Sequence, residues 1–260
     1  MSAIEALGRD AFRLARRAGA SLSTCRHRAR RRRLLVSVAV RSAWLRSRVD
    51  CHVAIDVTLG RRVRIEIEPH TTSAVHIGPL CRVGDEVEIH LRGGELHLGR
   101  AVDVRRGCVL EVAGRLELMG PNLIQRYSSL HCDDTVTIGA YAVLSEQVTV
   151  VDSTHPKGGP SHWFLDDLRT SPVTIGPHAW VGAKATVARG VHVGQRAVVS
   201  ANSLVVRDVA PGWLVSGVPA SPVRAALAAD ALQGDMLPAD AAVGSGRILN
   251  VRPASGGRER

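Results

Sequence analysis

Aromatic residues make up only 3% of this 260-residue chain. That is too few to fill the thick core of a large globular domain, where aromatic side chains carry much of the buried area. Cysteine is sparse and shows no pairing pattern. Cys25, Cys51, Cys81, Cys108 and Cys132 are odd in number, widely spread and free of any CxxC. This argues against a disulfide framework and a zinc ribbon, and the expectation is reduced, core-type cysteines in a cytosolic protein. The apolar stretch Leu34–Val40 ends at Arg41 after seven residues, too short to span a bilayer, and no small-x-small cleavage site accompanies it. Acidic residues are scarce in one region only. Residues 1–48 hold thirteen arginines against Glu5 and Asp10, a surplus of +11, so the rest of a chain of net charge +10 sums to −1. The high pI therefore describes an N-terminal arm. A nucleic-acid-binding body is disfavoured, and any anionic partner belongs to the arm.

What the chain does have is a period of six. Ile175, Val181, Val187, Val193, Val199 and Val205 recur at every sixth position, and two residues before each stands Val173, Ala179, Ala185, Val191, Ala197 or Ser203. With Ile, Leu and Val at about a quarter of the chain, six in one phase arises by chance about once in a few thousand trials. Neither a helix nor an ordinary strand has this period. A triangular solenoid does, with three flats of about six residues per coil and each coil stacked at roughly a strand spacing of 4.8 Å. Gly176, Gly182 and Gly194 follow the inward residue, where a corner of positive φ is expected. Weaker hexads begin near Cys51 and include Ile77, Val83, Ile89, Leu98, Val104, Leu110, Ile138, Leu144 and Val150. Breaks at Arg92-Gly93-Gly94 and Met119-Gly120-Pro121 read as corners or short insertions. At about 18 residues per coil, residues 50–215 predict eight or nine coils.

These residues resemble the hexapeptide-repeat acyltransferases, a left-handed parallel β-helix family, and most of all its galactoside, maltose and exopolysaccharide O-acetyltransferases. The resemblance implies an all-β solenoid, left-handed against the usual crossover rule. The expected domains are a basic helical arm at 1–48, the β-helix at 49–224 and a short helix with a disordered tail at 225–260. In the arm, Ile4, Leu7, Ala11, Leu14 and Ala18 are helically spaced, and Gly19 with Ser21–Ser23 breaks the pattern. Residues 26–48 are expected either to lie on an anionic membrane face, through Leu34, Leu35, Val38, Trp44 and Leu45, or to form a solvated or trimer-packing helix. An N-terminal cap over the first coil is also needed, which the arm can supply.

Residues 152–171, DSTHPKGGPSHWFLDDLRTS, break the hexad rule and are expected to project as a loop, the usual place for a site on a rigid scaffold. The resemblance implies that His155 is the general base. An acceptor hydroxyl cannot attack a thioester unaided at neutral pH, and an imidazole can take its proton as the bond forms. Asp152 either orients His155 beside the acceptor or simply starts the turn. His162 and Trp163 either line the acceptor cleft or pack within the loop.

Residues 173–224 are similar to the family's acetyl-CoA region. The resemblance puts Trp180 and Ala183, in Trp180-Val181-Gly182-Ala183, beside the pantetheine arm, with Ala201 one coil on. A small side chain there leaves main-chain groups open to an extended ligand. Arg207 and Arg224, near Arg207-Asp208-Val209-Ala210-Pro211 and Gly217-Val218-Pro219-Ala220, match basic residues for the CoA phosphates. His178 replaces a usual Asn, Val199-Ser200-Ala201-Asn202 replaces a usual IGAG, and Ser128–Asp134 differs from the sugar enzymes' acceptor region. The implied protein is a homotrimeric, cytoplasmic, acetyl-CoA-dependent O-acetyltransferase, needing no metal, whose acceptor is a sugar, polysaccharide precursor or glycosylated metabolite. The alternatives are a non-catalytic binding scaffold and a serine-type acetyltransferase. A γ-class carbonic anhydrase would need three converging histidines, and His178 and His192 do not stack in the hexad register.

Overall fold

A computed structural model of the chain describes residues 22–155 and 168–224. From Arg48 onward the described residues wind into a left-handed parallel β-helix with three walls. The first wall stacks seven strands, from Arg48–Val53 to His192–Val193. The second stacks eight parallel strands, from Thr58–Leu59 to Leu214–Gly217, and closes on the antiparallel strand Ala220–Arg224. The third stacks seven, from Arg64–Ile67 to Leu204–Val205.

Seven coils replace the expected eight or nine because only the last ones keep the 18-residue length. Thr174 lies beside His192, but Arg48 lies beside Thr72, Ala74 beside Glu95 and Arg115 beside Thr135. The extra residues collect at the corner leading from the third wall to the first: Glu68–Thr71, Arg92–Gly94, Ala113-Gly114 and Asp133-Asp134. This corner alone carries inserts, and the stretch after Thr149–Val151 is its largest.

Each hexad's fixed residue points inward. Ile175, Val181, Val187, Val193, Val199 and Val205 are at most 1% exposed, and the preceding small residues are buried with them. Columns such as Ile77, Leu98, Leu118, Ile138 and Ile175 run through the prism, so each coil buries its apolar face against its neighbours. Burial pushes the Cys108 thiol up to about 11 and the Cys132 thiol up to about 12, so both stay protonated core groups at neutral pH.

The corner glycines serve a different purpose from the one expected. Gly176, Gly182 and Gly194 do not have positive φ. A Cβ on them would come within 2.6, 2.5 and 2.5 Å of the backbone nitrogens of Gln195, Ala201 and Pro211. They are glycines because the next coil's main chain passes directly over them. Positive φ falls two residues later, on His178, Lys184 and Arg196.

The helix Leu22–Trp44 runs through Ser23, where the sequence pattern suggested a break; residues 1–21 and 225–260 lie outside the described residues. It ends with Arg46 at φ 52, while Ser47 N–H donates to Ser42 O and Arg46 N–H to Ala43 O, the bond pattern of a Schellman cap. Leu34 and Val38 are buried, and Leu35 and Leu45 pack on the same core. These four were expected either to lie on an anionic membrane face or to belong to a solvated or packing helix, with the arm able to cap the first coil; they close the open end of that coil, and Trp44 alone of the five stays exposed. Arg30 donates to Leu59 O at 2.8 Å and Arg31 to Val53 O at 2.9 Å, satisfying edge carbonyls that no earlier coil exists to meet.

The glycine assignment predicts that Gly176→Ala destabilises the fold by about 1–3 kcal/mol through backbone crowding. Arg196→Gly, at a corner of positive φ, should change it by less than about 0.5 kcal/mol. Chemical denaturation of the two variants measures both.

Candidate active site

Asp133-Asp134 links the fourth strand of the third wall, Ser129–Cys132, to the fifth strand of the first, Thr135–Ile138. One coil on, the chain leaves the third wall at Val151 and rejoins the first at Val173. The base of this excursion is held from below. Asp152 is fully buried, and its two carboxylate oxygens accept the N–H groups of Asp133 and Asp134, each at 2.8 Å. Its main-chain carbonyl accepts Ser171 N–H at 2.8 Å. Ser153 donates to Asp133 Oδ2 at 2.6 Å, and Ser153-Thr154 pairs antiparallel with Arg169-Thr170.

Asp152 is therefore fully engaged under the corner. Each of its oxygens accepts a main-chain N–H of the preceding coil's corner. His155 follows the two-residue ribbon and is exposed. His162 and Trp163 lie outside the described residues.

One further pair appears here that the hexad pattern does not reveal. Ser129 Oγ and His131 Nε2 are 2.8 Å apart on the outer face of the third wall, one coil before the excursion. Glu111 lies beside His131 in the register, and Asp133, two residues on, binds Arg92 at 3.1 Å. Alternation places residues 129, 131 and 133 on one outward line, within the Ser128–Asp134 stretch where the sequence departs from the sugar enzymes' acceptor region.

Three of the expected CoA residues, Trp180, Ala183 and Ala201, lie toward another edge, whereas Arg207 falls on the third-to-first corner at the last coil. Trp180 is 54% exposed on the second wall and donates its indole N–H to Ser145 Oγ at 2.9 Å. Ala183 and Ala201 occupy the corner between the second and third walls, one coil apart, and Asn202 N–H donates to Ala183 O at 2.9 Å. Among the described residues, the N–H groups of Ala183 and Ala201 donate to no acceptor. They form a short column of open donors beside a large aromatic side chain. Arg207 is exposed at the far end of the helix and lines a cleft of about 310 Å³ with Asp208, Trp213 and Ser221. Arg224 ends the closing strand, in register with Leu214.

His155 and the alanine column do not meet within one chain. Strand Thr186-Val187 begins after the Ala183 corner, and its neighbour Thr149–Val151 ends at the excursion. The two groups thus sit at opposite edges of the third wall. Among the described residues, no cluster of three His, Cys, Asp or Glu side chains is arranged to hold a metal ion.

Comparison with known proteins adds the following. Residues 172–207 match the family model described as the hexapeptide repeat of succinyl-transferase. A galactoside O-acetyltransferase of Escherichia coli is 31% identical over 113 residues, covering 41% of this chain and 52% of the relative. A putative lipopolysaccharide biosynthesis O-acetyl transferase, WbbJ, of the same organism is 28% identical over 143 residues, covering 50% and 72%. The chain thus spans about half the length of the first of these relatives. Among solved structures, the polysialic acid O-acetyltransferase OatWY superposes with a TM-score of 0.52 at 15% identity, over 68% of this chain and 87% of that one. At that identity the likeness is one of fold.

Loss of the Asp152 clamp should cost about 2–4 kcal/mol, since two part-buried N–H groups lose a charged acceptor. Asp152→Ala is therefore expected to lower the denaturation midpoint and to speed protease cleavage at residues 152–171. An unchanged midpoint with unchanged cleavage would show that the clamp carries no stability.

Proposed function

We propose that the chain is a hexapeptide-repeat, left-handed β-helix acyltransferase that moves an acetyl group from acetyl-CoA to a hydroxyl of a sugar, a polysaccharide precursor or a glycosylated metabolite. The observation that carries this reading is the column of unpaired N–H groups at Ala183 and Ala201 beside Trp180. An extended amide-bearing ligand such as pantetheine matches it, because each ligand carbonyl can accept one of these donors. The names of the galactoside and lipopolysaccharide relatives support a carbohydrate acceptor.

In the proposed reaction His155 takes the proton of the acceptor hydroxyl as that oxygen bonds to the thioester carbonyl carbon. The carbonyl π pair moves onto its oxygen, then returns as the carbon–sulfur bond breaks. The CoA sulfur leaves with the electron pair and receives the proton from the imidazolium, so the acid–base group is regenerated. Arg207 and Arg224 are assigned to the CoA phosphates.

The two edges of the third wall motivate a trimer. In a three-fold assembly, the excursion edge of one chain can face the alanine edge of its neighbour, so that His155 serves a thioester held by another copy. A cytoplasmic protein, peripheral to the membrane through its arm, fits an acceptor carried on a lipid. The exposed Val36, Val40 and Trp44, not the buried Leu34 and Val38, are the side chains available for that contact.

Thiol release from acetyl-CoA with a panel of glycans should fall by about 10²–10⁴ in His155→Ala while CoA binding persists. Unchanged turnover would remove His155 from the mechanism. Ala201→Leu should weaken CoA binding by about tenfold or more by covering the open N–H groups, with little effect on folding. Tight CoA binding without transfer to any acceptor would favour the scaffold reading instead.

A further inference from the structure

A second cleft, of about 470 Å³, opens between the N-terminal helix and the first coil. Its floor is apolar and includes Leu34, Val38, Val63 and Ile65. Its rim is built from arginine: Arg30, Arg33 and Arg41 on the helix, and Arg61, Arg62 and Arg64 on the coil. Among the described residues, no acidic side chain lines it.

These arginines are held in different ways. Arg30 and Arg41 each donate to an edge carbonyl, of Leu59 and Ile65. Arg61, Arg62 and Arg64 pair with Asp85, Glu86 and Glu88, which stand one coil behind them. Glu86 also binds Arg106, so these three carboxylates answer four arginines. Arg33 makes no hydrogen bond or ion pair among the described residues. A guanidinium has five N–H donors, and one carboxylate occupies at most two. Donors therefore remain on both walls of the cleft. With Arg61, Arg62 and Arg64 paired to carboxylates, Arg30, Arg33 and Arg41 still leave a positive surplus around the concavity, which an anion between them would offset.

We infer that this cleft binds the phosphate of a ligand that also carries an apolar chain. Guanidinium forks match phosphate oxygens in geometry as well as charge, and a hydrocarbon beside the phosphate finds the apolar floor. The surface outside the cleft continues this pattern. Val36, Val40 and Trp44, at helical spacing of four, are 55%, 62% and 82% exposed. An apolar stripe next to an arginine-rimmed cleft suits a phosphate at the boundary of an apolar phase. The ligand has two sources, the phosphomonoester headgroup of a bilayer lipid or a soluble alkyl phosphate. The inference stands on its own observations and does not require acyl transfer.

The test uses the full chain. Flotation with phosphatidylcholine vesicles containing phosphatidic acid is compared with pure phosphatidylcholine, and calorimetry follows dodecyl phosphate below its micelle concentration. Binding to the acidic vesicles and to dodecyl phosphate is expected, with none to neutral vesicles. Arg33→Glu with Arg62→Gln should weaken binding by about tenfold or more, given the strength of charge-assisted hydrogen bonds. Arg28→Glu with Arg32→Gln makes the same charge change on exposed positions outside the cleft and should weaken it less than about threefold. Because Arg62 also pairs with Glu86, the single variant Arg33→Glu keeps the test clear of folding effects. Equal losses from the two double variants, or dodecyl phosphate binding that Arg33→Glu leaves intact, would overturn the cleft. Binding of dodecyl phosphate without the acidic vesicles would uphold it and assign a soluble ligand.

Discussion

The close stacking of one coil's main chain on the next governs everything else in this protein. Main-chain bonds such as Gly78 N–H to Leu98 O and Gly139 N–H to Ile175 O join successive rungs along the walls. The glycines at the corners let those rungs approach so nearly that no Cβ fits between them. A thin prism of this kind needs few aromatics, since short aliphatic side chains fill it and each coil is covered by its neighbours. It also leaves two raw ends. The helix Leu22–Trp44 covers one, with Leu34 and Val38 plugging the core and arginines meeting the edge carbonyls. The antiparallel strand Ala220–Arg224 folds back over the other.

The same stacking explains where chemistry can sit. Two of the three corners keep a constant spacing, so residues one coil apart, such as Ala183 and Ala201, line up into columns. The third-to-first corner tolerates added residues because they point away from the stack. The chain uses that freedom in small steps at Arg92–Gly94 and Asp133-Asp134, and in one long step after Val151. Asp152 makes the long step compatible with the stack, since its carboxylate supplies the acceptors for Asp133 and Asp134 that a departing strand withdraws. The proposed base and the proposed thioester groove then fall on different edges of one wall, which is why the proposed chemistry asks for a second copy.

The arginine-rich arm has two physical duties that the sequence merges into one. Arg30, Arg31 and Arg41 close hydrogen bonds at the open edge of the β-helix. Arg33 on the same helix stands across a cleft from Arg61, Arg62 and Arg64 of the first coil, which carboxylates on the following coil hold in place. Basic character and structural capping are thus carried by the same helix on different faces.

The period of six determined, from sequence alone, that the chain coils, which residues face inward and that the coiling is interrupted after Val151. Inward positions depend only on alternation along the chain, and alternation is local. The departure at Asp152 was equally legible, because Gly, Pro and polar groups interrupt a strict pattern. Tertiary structure alone decided the rest. The number of coils depended on the length of the inserts, which only the pairing register fixes. The reason for Gly176, Gly182 and Gly194 lay in a strand one turn away, the destiny of Leu34 and Val38 in an open end that local pattern does not describe, and the use of Asp152 in two N–H groups nearly twenty residues earlier. Each of these is a contact between segments distant in sequence, and such contacts exist only once the coils have been stacked.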